Sequence, residues 1–201
     1  MKLRWVFFFL SVALGIGFLD LELELTNRVR LLYGDEPERD STYVAPFVPT
    51  PQEVVDRMLE LAEVRNGDVL YDLGSGDGRI VITAARKYGV KAVGFEIEPN
   101  LVKQSQERVR EAGLEDLAEI REQDIRKVDL SPASVVTMYL YPAANLRLRA
   151  TIMRQLKPGS RVVSHAFGMG NWKPDRVEQL KDSAGLLRTI YLWRIGDRTE
   201  R

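Results

Sequence analysis

The stretch Val69–Ile80, "VLYDLGSGDGRI", carries an apolar run into a glycine-rich turn and out into a helical pattern. Val69–Leu73 reads as a buried strand, and Gly74, Gly76 and Gly78 clear space at its carboxyl end. A dinucleotide fingerprint, G-x-G-x-x-G, would place its third glycine at position 79, which is Arg79. Charge separates the ligands further, because Asp72 ends the strand and Asp77 lies inside the turn. A diphosphate sits at a helix N-terminus because backbone N–H groups and the helix dipole favour an anion. Two carboxylates there oppose it by about 1 kcal/mol or more each. A ligand carrying an ammonium and a sulfonium gains from the same carboxylates, so the loop points to a cationic nucleoside.

Outward from this loop the hydrophobic period alternates. Ahead of it, "PTPQEVVDRMLELAEV" predicts a helix, with Thr50 as N-cap, Pro51 at the first helical position and Glu53 completing a capping box. After it, helix is expected over 79–88, 99–112, 145–156 and 175–182, with Arg79 an ordinary helix-start residue. Strand is expected over 91–97, 117–125, 134–141, in the "KPGSRVVSHAF" segment and over 187–195. Strands alternating with helices predict a doubly wound α/β domain from about residue 50 onward, with a mostly parallel sheet covered on both faces. Its ligand should lie at the carboxyl ends of the strands, where the strand order switches.

Composition narrows the chemistry. Lys+Arg and Asp+Glu both number 29, so no global basic field attracts nucleic acid. No cysteine is present and His165 is the single histidine, which removes disulfides, thiolate nucleophiles and cysteine-based zinc sites and argues against any metal centre.

The N-terminus has a different character. Lys2 and Arg4 precede an uncharged run from Trp5 to Leu19, 15 residues that would span roughly 22 Å as a helix against a hydrocarbon core of roughly 30 Å. A membrane anchor, a cleaved signal peptide and a buried core helix all remain open; the anchor is preferred because a clear A-x-A cleavage site is missing and three successive Phe with no polar face do not suit a soluble amphipath. The expected organisation is a hydrophobic anchor over 1–25, a linker over 26–48 and a catalytic domain over 49–201.

Asp-x-Gly-x-Gly-x-Gly after a first strand resembles the cofactor loop of class I S-adenosylmethionine (SAM) methyltransferases. Glu96 ends the second strand twenty residues beyond Gly76, Asp124 ends the third, and "LKPGSRVV" is similar to the turn before the fifth strand of that superfamily. "PFVPTPQEVVDRML", "NWKPDRV" and "YLWRI" narrow the resemblance to the protein-lysine N-methyltransferases that include the ATP-synthase c-subunit enzyme, over about residues 46–195. The resemblance implies a seven-stranded sheet, SAM as cofactor and methyl transfer to a lysine ε-amine. It implies cofactor contacts at Thr50, Asp72, Gly74, Ser75, Gly76, Gly78, Glu96, Asp124 and Ile125. Glu96 would take the ribose hydroxyls, and Asp124 and Ile125 the adenine. The segment with Pro49 and Thr50 would close over the cofactor, although helix capping explains Thr50 equally.

For the acceptor side, Tyr139 and Tyr141 follow the fourth strand and are the candidate catalytic residues, and His165 ends the fifth as a base or a rim hydrogen-bonder. No metal or nucleic-acid partner is expected. The membrane, through the N-terminal segment, and a protein substrate are. Because SAM is made in the cytosol, the catalytic domain is expected to face the cytoplasm. Methylation of a small molecule or lipid, or a tethered nucleotide-binding module without catalysis, stand as alternatives.

Overall fold

The computed structural model describes residues 47–196. The expected anchor over 1–25 and nearly all of the linker lie outside the described residues. No helix among the described residues is long and apolar enough to cross a membrane. The expectation of a membrane-anchored protein with its domain facing the cytoplasm, which rested on the run over 5–19, is corrected to this: the described residues supply no membrane-spanning helix.

Alternation of period 2 and period 3.6 produces helix α1 (Gln52–Leu61), β1 (Val69–Leu73), α2 (Arg79–Tyr88), β2 (Lys91–Glu96) and α3 (Pro99–Glu111). Then follow β3 (Ala118–Glu122), a short 3-10 turn (Ile125–Lys127), β4 (Val135–Met138), α4 (Pro142–Gln155), β5 (Arg161–His165), β6 (Arg176–Lys181) and β7 (Leu187–Arg194). The seven strands form one sheet in the order β3-β2-β1-β4-β5-β7-β6. The pairs from β3 through β5 are parallel, whereas β7 runs antiparallel to both β5 and β6. The order reverses between β1 and β4, and the carboxyl ends of these two strands therefore flank a crevice.

Strand alternation sorts β1 between two cores. Leu70 packs with Val54, Met58 and Ile80 beneath α1 and α2, while Tyr71 and Leu73 pack with Phe95, Leu148 and Trp193 on the opposite face. Asp72 shares the parity of Leu70 and is 2% exposed. At the amino ends of the strands, a buried Arg161–Asp68 ion pair is completed by the Ser134 hydroxyl on Asp68 and by Arg161 Nε donating to the Ala62 carbonyl at 3.0 Å.

Three local expectations are corrected. Residues 175–182, expected as helix, form β6. Val177 and Leu180 are three apart and mimic a helical stripe, but β6 is an edge strand whose side chains are mostly exposed, so its sequence carries no apolar–polar alternation. Its ladder to β7 and the turn closed by Gly185 (φ +80°) decide the conformation. The capping box at α1 is absent: Pro51 is the N-cap, with no side-chain cap. Thr50 instead reaches His165, and Glu53 accepts from the backbone N–H of Ser183 in the β6–β7 turn. Finally, α4 begins at Pro142 rather than 145, because proline suits the first helical position.

Candidate active site

Five backbone amides of the turn between β1 and α2 donate within the protein itself. The amides of Gly74 and Ser75 both donate to the Phe95 carbonyl, at 2.9 and 3.0 Å. Gly76 N–H donates to Glu96 Oε2 at 2.8 Å, Gly78 N–H to the Ser75 carbonyl at 2.9 Å, and Arg79 N–H to Asp77 Oδ1 at 3.3 Å. A phosphate cradle needs such amides free and aimed at the anion. Here these five are spent, which weighs against the dinucleotide reading.

The two acids of the turn differ in charge environment, which corrects part of the expectation. Asp77 is gripped by Arg79 (Nη2–Oδ2, 2.6 Å) and by Arg108 of α3 (2.6 Å). Burial pushes its carboxyl up, yet the Arg79 and Arg108 hydrogen bonds outweigh this and hold it below the usual range. Its charge is compensated, so Asp77 braces the loop rather than facing a ligand. Arg79 is correspondingly more than a helix-start residue, because its Nη1 also donates to the Thr50 carbonyl at 2.7 Å.

Among the described residues no cation stands beside Asp72. The Thr137 hydroxyl donates to its Oδ1 at 2.8 Å. Burial pushes its carboxyl up to about 7 against that hydroxyl, and the Glu96 and Asp77 charges add to the rise. A cationic ligand would relieve this strain, whereas an anion would add to it.

Glu96 accepts three backbone N–H groups, from Gly76 on Oε2 and from Ile97 and Glu98 on Oε1 at 2.8 and 3.0 Å. Two carboxylate oxygens offer about four lone-pair sites, so capacity for a hydroxyl donor remains. Asp124 is engaged by Arg126, through its backbone N–H and both Nε and Nη2, and those bonds hold its carboxyl low. Ile125 is buried against the second core.

All the residues expected at the cofactor site except Gly78 line one cleft of about 810 Å³, open mouth included. Gly78 lies beneath it as the N-cap of α2, where an added Cβ would come within 3.1 Å of Ser105 Cβ. Of the acceptor-side pair, Tyr139 reaches the cleft while Tyr141 does not and is 48% exposed. Phe167, which no motif singles out, has its ring centroid 6.3 Å from those of both tyrosines.

Sequence reasoning missed other residues at the cleft. Phe47 lies against the glycine turn: a Cβ at Gly76 would stand 2.5 Å from its ring. Gly94, in the middle of β2, lets Ser75 pass, since a Cβ there would stand 2.6 Å from Ser75 Oγ. A glycine inside a strand marks such a close approach, and that signal was available in the sequence. His165 is wholly buried, Nδ1 lies 3.2 Å from Thr50 Oγ1, and Nε2 has no partner among the described residues. Burial, with the Arg188 charge second, pushes the imidazole down to about 4, so the ring is neutral at neutral pH. An unpartnered buried ring nitrogen of this kind costs about 1–3 kcal/mol. Among the described residues no three His, Asp or Glu side chains are grouped to hold a metal ion.

A mostly parallel sheet with its switch point above a glycine turn whose Gly74, Ser75, Gly76 and Gly78 amides are satisfied internally, flanked by carboxylates, fits a Rossmann-like SAM-dependent methyltransferase. The donor set fits that cofactor: Glu96 retains acceptor capacity for ribose, and Asp72 is an uncompensated acid suited to a cation. Comparison with known proteins agrees. The family model for the ANTKMT methyltransferase domain matches residues 72–176. The protein-lysine N-methyltransferase of Saccharolobus islandicus (strain REY15A) is 44% identical over 153 residues, covering 76% of this chain and 94% of that protein. The ATP synthase c-subunit lysine N-methyltransferase of Homo sapiens is 38% identical over 132 residues, 66% of this chain; the chain spans only 56% of the human protein's length. A crystal structure of an RNA methyltransferase from Salinibacter ruber in complex with S-adenosyl-L-homocysteine is 54% identical with a TM-score of 0.71, covering 75% of this chain and 95% of that one. The chain belongs to the ANTKMT methyltransferase family and is an enzyme that uses SAM.

Proposed function

We propose that the enzyme transfers a methyl group from SAM to the ε-amine of a lysine in a protein substrate. The observation that carries this reading is the archaeal relative named as a protein-lysine N-methyltransferase, matched over 94% of its length at 44% identity. Geometry supports it. The β4 side of the cleft is walled by Tyr139, with Phe167 and the exposed Tyr141 beyond it. Such an aromatic wall suits the methylene stem of a lysine.

When bound, SAM supplies a methyl group activated by its sulfonium. The lysine nitrogen lone pair forms the new N–C bond, the S–C bond breaks with its electron pair kept on sulfur, and the methylated ammonium returns a proton to solvent. Nothing here demands a covalent enzyme intermediate, and alignment alone supplies about 7–11 kcal/mol. In this reading Glu96 takes a ribose hydroxyl, Asp72 faces the cationic amino-acid portion, and Asp124 with Ile125 flanks the adenine. Gly74, Ser75 and Gly76 form the floor, Gly78 lets α3 pack under it, and Thr50 closes the near side. Tyr139 and Tyr141 shape the path of the acceptor.

A second reading is favoured by one observation, that the 54% identical structure is named as an RNA methyltransferase. Nucleic-acid affinity comes chiefly from phosphate neutralisation by Lys and Arg. This chain balances 29 such residues with 29 Asp and Glu, so we place RNA second. Incubating the enzyme with radiolabelled SAM, cellular protein and cellular RNA separates the two. Protease-sensitive label that mass spectrometry places on lysine supports the proposal. Ribonuclease-sensitive label replaces the acceptor with RNA, and label extracted by organic solvent replaces it with a lipid or small molecule.

A further inference from the structure

One side-chain contact joins the segment ahead of α1 to the carboxyl end of β5, and the cofactor site does not account for it. Thr50 Oγ1 and His165 Nδ1 meet at 3.2 Å across 115 residues of sequence. The imidazole is wholly buried, its Nε2 is without a partner among the described residues, and its ring centroid lies 4.1 Å from that of Tyr139. The next residue, Ala166, has φ +65°, and Phe167 N–H returns to the His165 carbonyl at 2.8 Å. A tight turn through a left-handed alanine is a strained conformation that surrounding contacts must hold. Here the Ser164 hydroxyl donates to the Phe167 carbonyl at 2.7 Å, and buried Asn145 Nδ2 donates to the same carbonyl at 3.2 Å. A residue that merely filled space would need neither an unpartnered nitrogen nor a strained neighbour. On the other side, Arg79 holds the Thr50 carbonyl and also grips Asp77 in the glycine turn. Contacts thus run unbroken from the turn through Arg79, Thr50 and His165 to Tyr139.

We infer that His165 is a positioning residue with two separable tasks: its Nδ1 fixes Thr50 on the donor side of the cleft, and its ring face fixes Tyr139 on the acceptor side. This rests on the assignment of the cleft to SAM and of Tyr139 to the acceptor wall. Two substitutions split the tasks. His165→Phe keeps a flat ring and loses Nδ1, while His165→Gln keeps a polar atom for Thr50 and loses the ring. By calorimetry with S-adenosylhomocysteine, His165→Phe should bind about fivefold more weakly, the scale of one hydrogen bond, and His165→Gln nearly as the parent. Thr50→Val should reproduce the loss, and the Thr50→Val/His165→Phe double variant should be no weaker than either single, since one bond is lost only once. Thr50→Val also carries the test if the buried substitutions prevent folding. With the acceptor found by labelling, His165→Gln should raise KM about fivefold or more, with a smaller change in kcat. Additive losses in the double variant, or lower melting temperatures with unchanged affinity and KM, would reduce His165 to packing. The binding arm needs no acceptor, so it stands even where the lysine reading fails.

Discussion

The Gly76 amide donates to Glu96 Oε2 at 2.8 Å, so the side chain that ends β2 closes the turn that follows β1. The same carboxylate accepts from Ile97 and Glu98, which makes it at once a brace and a ligand-facing group. Glu96→Gln should therefore weaken S-adenosylhomocysteine binding roughly tenfold or more, the size of one charge-assisted hydrogen bond. Titration calorimetry reads this directly, and an unchanged affinity would move the ribose contact elsewhere.

Asp72 should make stability depend on pH. Its carboxyl is raised from 3.8 to about 7 in the fold, so the neutral form is favoured there. The contribution is fully present below the unfolded value and is lost as pH rises through about 7. Three units correspond to ~4 kcal/mol as an upper scale. Asp72→Asn, compared with the parent by urea unfolding, should gain stability at pH 8 relative to pH 4 and lose affinity for SAM. A variant no more stable at pH 8 would show that the buried acid is not strained.

Gly94→Ala should be severe, since its new methyl would meet Ser75 Oγ at 2.6 Å and Ile120 Cδ1 at 2.8 Å. Overpacking of this kind costs about 1–3 kcal/mol and would displace the glycine turn. Gly113→Ala is the control: it has φ +63° but open space, so only the backbone penalty of about 1 kcal/mol applies. Thermal unfolding should rank Gly94→Ala below Gly113→Ala, and only the former should abolish cofactor binding.

The two arginines on Asp77 should differ. Arg108 has a side chain 49% exposed, so Arg108→Ala should cost under about 1 kcal/mol. Arg79 is less exposed and also holds the Thr50 carbonyl, so Arg79→Ala should destabilise more and weaken S-adenosylhomocysteine binding as well. Equal effects in denaturant unfolding and calorimetry would remove the distinction.

The centre of the sheet was legible because its strands are buried on both faces and its turns carry glycine at fixed offsets, as in Val69–Gly78. Glu96 was legible as a strand end, whereas Asp124, expected to end the third strand, lies two residues past β3 and caps the short 3-10 turn. Edge strand β6 was not legible, since its exposed side chains carry no period and Val177 with Leu180 imitates a helix. The roles of Thr50, Glu53 and Asp77 were misread for a shared reason. Short-range spacing suggested local partners for Thr50 and Glu53, whereas their bonds reach His165 and Ser183; Asp77 is shared with distant Arg108. Phe47 could not be singled out because only the fold brings it to the cleft, and Phe167 because only the fold sets its ring beside Tyr139.

The internally satisfied glycine turn has a kinetic corollary. The amides of Gly74, Ser75, Gly76 and Gly78 are already paired before any nucleoside arrives, so most of the receptacle is finished when the chain has folded, and little ordering entropy is left for the encounter itself. Swapping spent donor for fresh donor then leaves the main chain as it stood, and discrimination between the two falls to side-chain charge, which registers whether the departing sulfur is still cationic.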